Sequence, residues 1–216
     1  MPRGRRAGPT RTRDAIVDAA RAAFAARGYD AVSLRSIARA AGVDPALVHH
    51  FFESKSAVFA AAMSLPVDPE PFVAALLAGD PNTLGERLVL ALVTLWDRPY
   101  GFHGFLGLVR GAVSHADAAR MLREFVTREI LGRLVAAAAP DDPQARAALA
   151  GTQIVGLAMG RKILEIAPLA DAEPAWLAAT IGPTIQRYLT APLPRRGAIG
   201  DADVTAPICA TTQSSA

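Results

Sequence analysis

The chain has 216 residues, of which 51% are hydrophobic and 20% charged, a composition that supports a sizeable core and argues against wholesale disorder. Its longest run without a charged residue, Ala147 to Gly160, is too short to cross a bilayer. The single cysteine, Cys209, excludes a disulfide framework and a cysteine-based zinc site. The basic N-terminus has no apolar segment behind it, so we expect no secretion signal and a cytoplasmic, mostly helical protein.

The net charge of +3 hides an asymmetry along the chain. Residues 1–55 carry ten Arg or Lys against five Asp or Glu, whereas residues 56–216 carry thirteen against fifteen. A basic arm before a small helical module indicates a polyanionic partner, because cationic side chains that contact phosphates release counterions. A solubilising tail, or a general use of Arg in place of Lys, explains the same charge equally well.

Four helices are predicted in the N-terminal quarter. Ile16, Ala20 and Phe24 recur every four residues, which predicts an amphipathic helix that Gly28 ends. Side-chain oxygens that can cap free backbone N–H groups precede the other three helices. The predicted helices are 11–27, 34–40 after Ser33, a third that opens at Asp44-Pro45, and a fourth from Lys55, after Ser54, to about Ser64.

The second and third of these helices, joined by the turn 41–43, match the spacing of a helix-turn-helix. Val48 and Phe52 are four residues apart and belong to the core. The outward positions of the third helix are then Pro45, Ala46, Leu47, His49, His50 and Phe51. A solvated helix rarely shows such side chains without a partner, and a helix of this kind can enter a major groove.

The stretch from Ser33 to Met63 resembles the DNA-binding domain of the TetR family of bacterial transcriptional regulators. The shared frame is Ser33-x-Arg35-x-Ile37-Ala38-x-x-Ala41-Gly42-Val43, followed by Val48-His49-x-Phe51-Phe52-x-Ser54-Lys55. The resemblance covers roughly residues 10–63. One departure is His49, where many members have a Tyr that touches a backbone phosphate.

The resemblance implies an all-α protein with an N-terminal three-helix helix-turn-helix domain followed by a larger helical ligand-binding and dimerisation domain. We expect a basic disordered arm over 1–9, the DNA-binding domain over 10–64, the effector-binding domain over 65–190 and a disordered tail over 191–216. The implied function is that of a sequence-specific transcriptional regulator, by default a repressor that a small hydrophobic effector releases from a palindromic operator on double-stranded DNA. Activation stays open as the alternative sign of regulation.

The resemblance also implies roles for individual residues on DNA. Ser33, Arg35 and Lys55 are expected to contact phosphates, and Arg5, Arg6 and Arg11 to follow the backbone or enter the minor groove. The residues expected at the major groove are Asp44, Pro45, Ala46, Leu47, His49 and His50. Leu47 is a candidate for a contact with a thymine methyl group.

Six further helices are predicted in the rest of the chain, at Phe72–Ala78, 83–97, 102–114, 116–138, 144–166 and about 174–190. Two i, i+4 pairs, Glu124 with Arg128 and Arg161 with Glu165, are interpreted as solvated helix faces. No strand alternation and no internal repeat is found.

The family's ligand pocket lies among the middle helices, which makes their large side chains candidate lining residues. They are Leu92, Trp96, Phe102, Phe105, Leu106, Val109, Met121, Phe125 and Met159, with Gln153 as a polar group that orients a ligand. An ordinary helical core has the same pattern of side chains, so both interpretations of the middle helices, ligand pocket and core, stay open.

In the family, the last two helices pair with their two-fold mates in a homodimer. Gly156 and Gly160 let backbones approach, and Trp176, Ile181 and Ile185 supply apolar contact. Packing within one chain remains the alternative.

No catalytic signature, cofactor motif or metal-ligand spacing is found, so we expect no enzymatic activity, no cofactor and no metal. Two other functions remain open. One is a dimeric DNA-binding protein without an effector, and the other is a helical small-molecule carrier or enzyme.

Overall fold

The computed structural model describes residues 9–138 and 141–194, which form helices and connecting turns with no strand in these ranges. The helices are α1 (Pro9–Arg27), α2 (Leu34–Ala41), α3 (Pro45–Phe51), α4 (Lys55–Ala62), α5 (Pro69–Leu77), α6 (Leu84–Asp97), α7 (His103–Ser114), α8 (Ala116–Phe125), α9 (Gly132–Ala138), α10 (Pro143–Lys162) and α11 (Pro174–Thr190). A short 3-10 helix, Pro81–Thr83, precedes α6. The prediction of an all-α fold is confirmed.

The predicted caps account for the boundaries of the N-terminal helices. The side chain of Ser33 accepts a hydrogen bond from the Ser36 N–H at 3.2 Å, and that of Ser54 accepts one from Ala57 at 3.0 Å. Gly28 ends α1 with φ of 79°, a left-handed conformation that side chains with a Cβ rarely adopt. Gly42 ends α2 in the same way, with φ of 67°.

The predicted helix 116–138 is interrupted by a π-helical turn, Val126–Leu131, called the π segment below. Periodicity does not reveal such a turn, because a single extra residue leaves the apolar spacing on either side almost unchanged. The predicted helix 144–166 ends earlier, at Lys162, because the chain then turns and Glu165 has a positive φ of 48°.

The N-terminal core is built on four aromatic rings from three helices and one turn. Phe24, Tyr29 and Phe59 pack together, and Phe125 of α8 stacks on Phe59 with ring centroids 4.2 Å apart. Leu108 and Met121 belong to the same core. Residues from both sides of position 64 therefore share one core.

The C-terminal half is organised by the crossing of α6 and α11. Gly85 and Gly182 lie at the crossing, and a Cβ at either position would meet backbone atoms of the other helix. This close approach buries Leu88, Leu177 and Ile185 in a second core. The two helices are thus closely packed along their crossing.

Two buried arginines stabilise this half. Arg146 donates to the Asp141 carboxylate at 2.8 Å and to the Tyr188 carbonyl oxygen at 2.7 Å, which joins the start of α10 to the end of α11. Arg161 is 6% exposed and donates to Asp97 at 2.8 Å. Its interpretation as one of a solvated pair with Glu165 is wrong, because the helix ends before Glu165 and Arg161 turns toward α6.

Residues 1–8 of the expected disordered arm, with Arg5 and Arg6, and almost all of the expected tail over 191–216 lie outside the described residues, whereas Pro9 already belongs to α1. Within the described ranges, no helix combines the length and the apolar character that crossing a membrane requires.

Candidate nucleic-acid interface and cavity

Helix α3 presents an open face whose orientation is fixed by its buried side. Asp44 caps its first turn by accepting from the Ala46 N–H at 2.8 Å, and Val48 is fully buried against the N-terminal core. The opposite side exposes Pro45, Ala46, Leu47, His49 and His50. Leu47 is 39% exposed, a large value for a leucine.

Phe51 differs from its expected outward position. It is half-buried against the N-terminal core, and its ring meets that of His50 edge-on with centroids 5.1 Å apart. Phe51 therefore supports His50 from behind, and the open face of α3 ends at His50.

Helices α1 and α2, which both contact α3, expose cationic side chains. Arg35 lies exposed in the first turn of α2, next to the reciprocal hydrogen bonds between Ser33 and Ser36. Arg11 is exposed on α1, and the Arg13 guanidinium lies 5.3 Å from the centre of the Phe52 ring. An exposed helix whose neighbouring helices expose cations has a charge distribution that suits a DNA duplex.

Lys55 lies away from that face. Its Nζ donates to the Asp30 carbonyl oxygen at 3.3 Å and sits 4.3 Å from the centre of the Tyr29 ring. Burial lowers the pKa of Lys55 below its ordinary value, against the nearby charge of Asp30. The expected phosphate contact of Lys55 gains no support from this geometry, because the ammonium group faces the junction with the C-terminal half.

A cavity of about 970 Å³ lies between the middle helices. Its walls come from the α4–α5 connection and from α5, α6, α7, α8, the π segment and α10. Apolar side chains line the interior, and the polar or charged lining groups are Asp30, Arg123, Glu124, Thr127, Arg128 and Gln144. Volumes of roughly 300–1,000 Å³ are typical of sites for drug-sized ligands.

Four of the ten residues expected in a ligand pocket line this cavity: Leu92, Trp96, Phe105 and Phe125. The other six, Phe102, Leu106, Val109, Met121, Gln153 and Met159, are not among its lining residues. On α7 the lining face is Phe105, Leu108 and Ala112, and neighbouring positions point elsewhere because each residue turns the helix by about 100°.

Two of the predicted residues that do not line the cavity, Phe102 and Met121, are directed away from it by local packing. Phe102 stands behind Trp96 and Phe105, with its ring centre 5.9 Å and 5.5 Å from theirs. Met121 points into the N-terminal core and lines a smaller depression of about 410 Å³. The sequence analysis did not predict that residues of α5 and Gly151 line the cavity. Neither a glycine nor a partly exposed side chain indicates a pocket in the sequence.

The expected dimer surface is only partly open. Gly156 and Trp176 are exposed, Trp176 to 50%, and Ile181 is half-buried. Ile185 is fully buried in the C-terminal core, and Gly160 packs against Leu169 in the connection after α10. Ile185 and Gly160 are therefore not available to a second copy, because their own chain already covers them.

Over the described residues no group of three or more metal-ligating side chains occurs. Two family profiles match the sequence. Residues 16–62 match that of bacterial regulatory proteins of the tetR family, and residues 82–189 match the tetracyclin repressor-like C-terminal domain.

The chain belongs to the TetR family. The resemblance inferred from the frame between Ser33 and Lys55 is confirmed. The family is one of DNA-binding transcriptional regulators and not of enzymes.

Individual relatives share parts of the sequence or the fold. The HTH-type transcriptional regulator BetI of Rhizobium meliloti is 47% identical over 51 residues, which is 24% of this chain and 25% of BetI. The chain thus spans about a quarter of the length of this curated relative. A TetR-family regulator from Streptomyces coelicolor A3 is 37% identical, with 87% of this chain and 99% of that chain covered and a TM-score of 0.44.

A third similar protein is NalD, the secondary repressor of the MexAB-OprM multidrug efflux pump in Pseudomonas aeruginosa. It is 20% identical, with 84% of this chain and 98% of that chain covered and a TM-score of 0.44.

Proposed function

We propose that the protein is a dimeric repressor that acts in the cytoplasm and leaves its operator when a small apolar molecule occupies the cavity. The observation that carries this proposal is the combination, in one chain, of an exposed face on α3 and a cavity of about 970 Å³. A protein that only binds DNA has no need of the cavity, and a carrier has no need of the exposed Leu47 and histidines.

The chemistry of the cavity wall supports an apolar effector. Trp96, Phe105 and Phe125 contribute aromatic surface, and leucines of α6 extend it. A neutral apolar or aromatic molecule gains free energy by leaving water for such a wall, whereas a charged group pays a desolvation penalty there.

A two-fold dimer would place two copies of α3 in successive major grooves, about one helical turn apart. The exposed Trp176 and the open side of α10 near Gly156 support pairing through the last two helices. An effector that favours a different spacing of the two α3 helices then lowers operator affinity by population shift.

Replacing Arg35 with alanine tests the phosphate assignment. We expect weaker binding to operator and to random DNA alike, with the slope of log affinity against log salt reduced by about one per protomer, because one cation is removed. Fluorescence anisotropy titrations at several salt concentrations measure both quantities. Arg133→Ala, a cation on α9, serves as the matched control and should leave both unchanged. A change of sequence preference with intact affinity would contradict the assignment.

Replacing Leu47 with alanine tests the groove assignment. We expect an altered preference at one base pair in each half-site, worth roughly 1–3 kcal/mol at most, since the side chain contacts base edges and not phosphates. Binding to a panel of single-base operator variants measures it. Equal weakening on every sequence, together with a lower melting temperature, would show that Leu47 serves the fold instead.

A further inference from the structure

Helices α1–α4 and the turns between them form the N-terminal half of the chain. A series of polar contacts joins this half to α8 and the π segment. Arg120 donates to the Arg27 carbonyl oxygen at 3.0 Å, and Glu124 accepts from the Asp30 N–H at 3.1 Å. One turn further, Arg128 pairs with the Asp30 carboxylate at 2.9 Å. The expected pair of Glu124 with Arg128 is not formed, since each contacts the turn after α1 instead, although the Arg128 side chain remains 60% exposed.

A fourth contact completes this series. The Tyr29 hydroxyl donates to Glu129 at 2.9 Å, although Glu129 directly follows Arg128 in sequence. A π turn holds one residue more than an α turn, which lets two consecutive residues contact the N-terminal half. Burial, and then the charge and hydrogen bond of Glu129, raise the pKa of Tyr29, so its hydroxyl stays a neutral donor.

The same segment forms part of the cavity wall. Val126, Thr127, Arg128, Ile130 and Leu131 line the cavity, and so does Phe125 immediately before them. Phe125 also stacks on Phe59 of α4. A single stretch of seven residues, 125–131, thus touches the cavity on one side and the DNA-binding half on the other.

We propose that the π segment is the element that transmits occupancy of the cavity to the helix-turn-helix. A ligand that presses on Leu131 and Ile130 shifts the π turn toward α-helical register. One residue of register rotates the following positions by about 100°, so Arg128 and Glu129 cannot both keep their partners. Loss of the contacts to Tyr29 and Asp30 frees the orientation of the α1–α4 unit.

This inference rests on the proposed function, because it assigns the regulation of that cavity. It also explains why Lys55 faces inward. Its bond to the Asp30 carbonyl oxygen and its position over Tyr29 join α4 to the same turn. Release of Tyr29 and Asp30 therefore reaches α4 as well as α1, and α2 and α3 share the N-terminal core with both.

A substitution that introduces a larger side chain into the cavity tests the proposal without an identified ligand. A Cβ at Gly151 would lie 3.0 Å from Leu131 Cδ1, so Gly151→Leu presses on the π segment. Gly107→Leu is the matched control, because it makes the same substitution on α7 where nothing lies within 4 Å of the added Cβ. Hydrogen exchange of the full chain without DNA, read over residues 28–33, reports the contact of the Asp30 N–H with Glu124.

We expect Gly151→Leu to raise exchange over residues 28–33 about tenfold and to weaken operator binding about tenfold, within the usual range of coupling between two sites. Gly107→Leu should change neither. In a background carrying Tyr29→Phe and Arg128→Gln, the additional effect of Gly151→Leu on operator binding should shrink to less than about twofold, because the transmitting contacts are already broken.

Unchanged exchange in a folded Gly151→Leu variant would overturn the proposal, as would an equal loss of operator affinity in both backgrounds. If Gly151→Leu does not fold, Gly151→Ala makes the same contact with Leu131 and should raise the exchange rate over residues 28–33 about threefold. An unchanged exchange rate in that variant would overturn the proposal. Failure of the unmodified protein to bind DNA would instead contradict the proposed function, and the exchange measurement would still decide the role of the π segment.

Discussion

Replacing Ala46 with aspartate should abolish operator binding while leaving the fold intact or slightly more stable. Ala46 is exposed in the first turn of α3, directly behind the Asp44 cap. A carboxylate there interacts favourably with the N-terminal end of the helix dipole, by about 0.3–1 kcal/mol. The same carboxylate would face base edges and phosphates in the groove, and like-charge contact costs several kcal/mol, so we expect at least a roughly 100-fold loss of affinity.

The opposite signs of the two effects make this substitution decisive. A thermal melt and an operator titration on the same preparation measure them together. Ala46→Ser, which adds a neutral group of similar size, is the control and should keep most of the affinity. Full binding by Ala46→Asp would mean that the exposed face of α3 does not enter the groove.

Replacing Phe125 with alanine should cost about 3–5 kcal/mol of unfolding free energy, the usual cost of removing a fully buried aromatic side chain. Phe125 is 1% exposed, stacks on Phe59 and lies 5.5 Å from the centre of the Tyr29 ring. For a chain of this length the melting temperature should fall by roughly 6–20 °C. Chemical denaturation followed by circular dichroism measures the free energy directly.

The shape of the unfolding transition of Phe125→Ala tests a second expectation. Because Phe125 belongs to the N-terminal core although it lies on α8, both halves should lose stability in one transition. Phe125→Leu, which keeps most of the volume, should cost less than about 1.5 kcal/mol. A loss below about 1 kcal/mol for Phe125→Ala would show that the two halves do not depend on this contact.

Sequence reasoning succeeded where structure is decided locally. The caps at Ser33, Asp44 and Ser54 and the left-handed glycine at 28 each act within one turn of chain, so residue type at a fixed spacing suffices. The open face of α3 could be predicted in the same way, because the burial of Val48 determines which side chains the opposite side of the helix exposes.

It failed where a side chain chooses between distant partners. Arg161 had an acidic neighbour at the right spacing but pairs with Asp97, 64 residues away in the chain. Lys55 matches a DNA-contacting position of the family and contacts Asp30 and Tyr29 within the chain, so its role on DNA stays a prediction. Whether an apolar residue on a middle helix lines the cavity or fills the core, as Trp96 and Met121 show, depends on how helices cross, which periodicity does not encode.

The central claim is that α3 reads DNA sequence as part of a two-fold dimer. Selection of bound duplexes from a random pool, with full-length protein at about 150 mM salt, tests it most directly. We expect a near-palindromic sequence whose half-sites lie about one helical turn apart, and its loss from the Ala46→Asp variant. A pool that yields no enriched sequence, or the same sequence with Ala46→Asp, would contradict the claim.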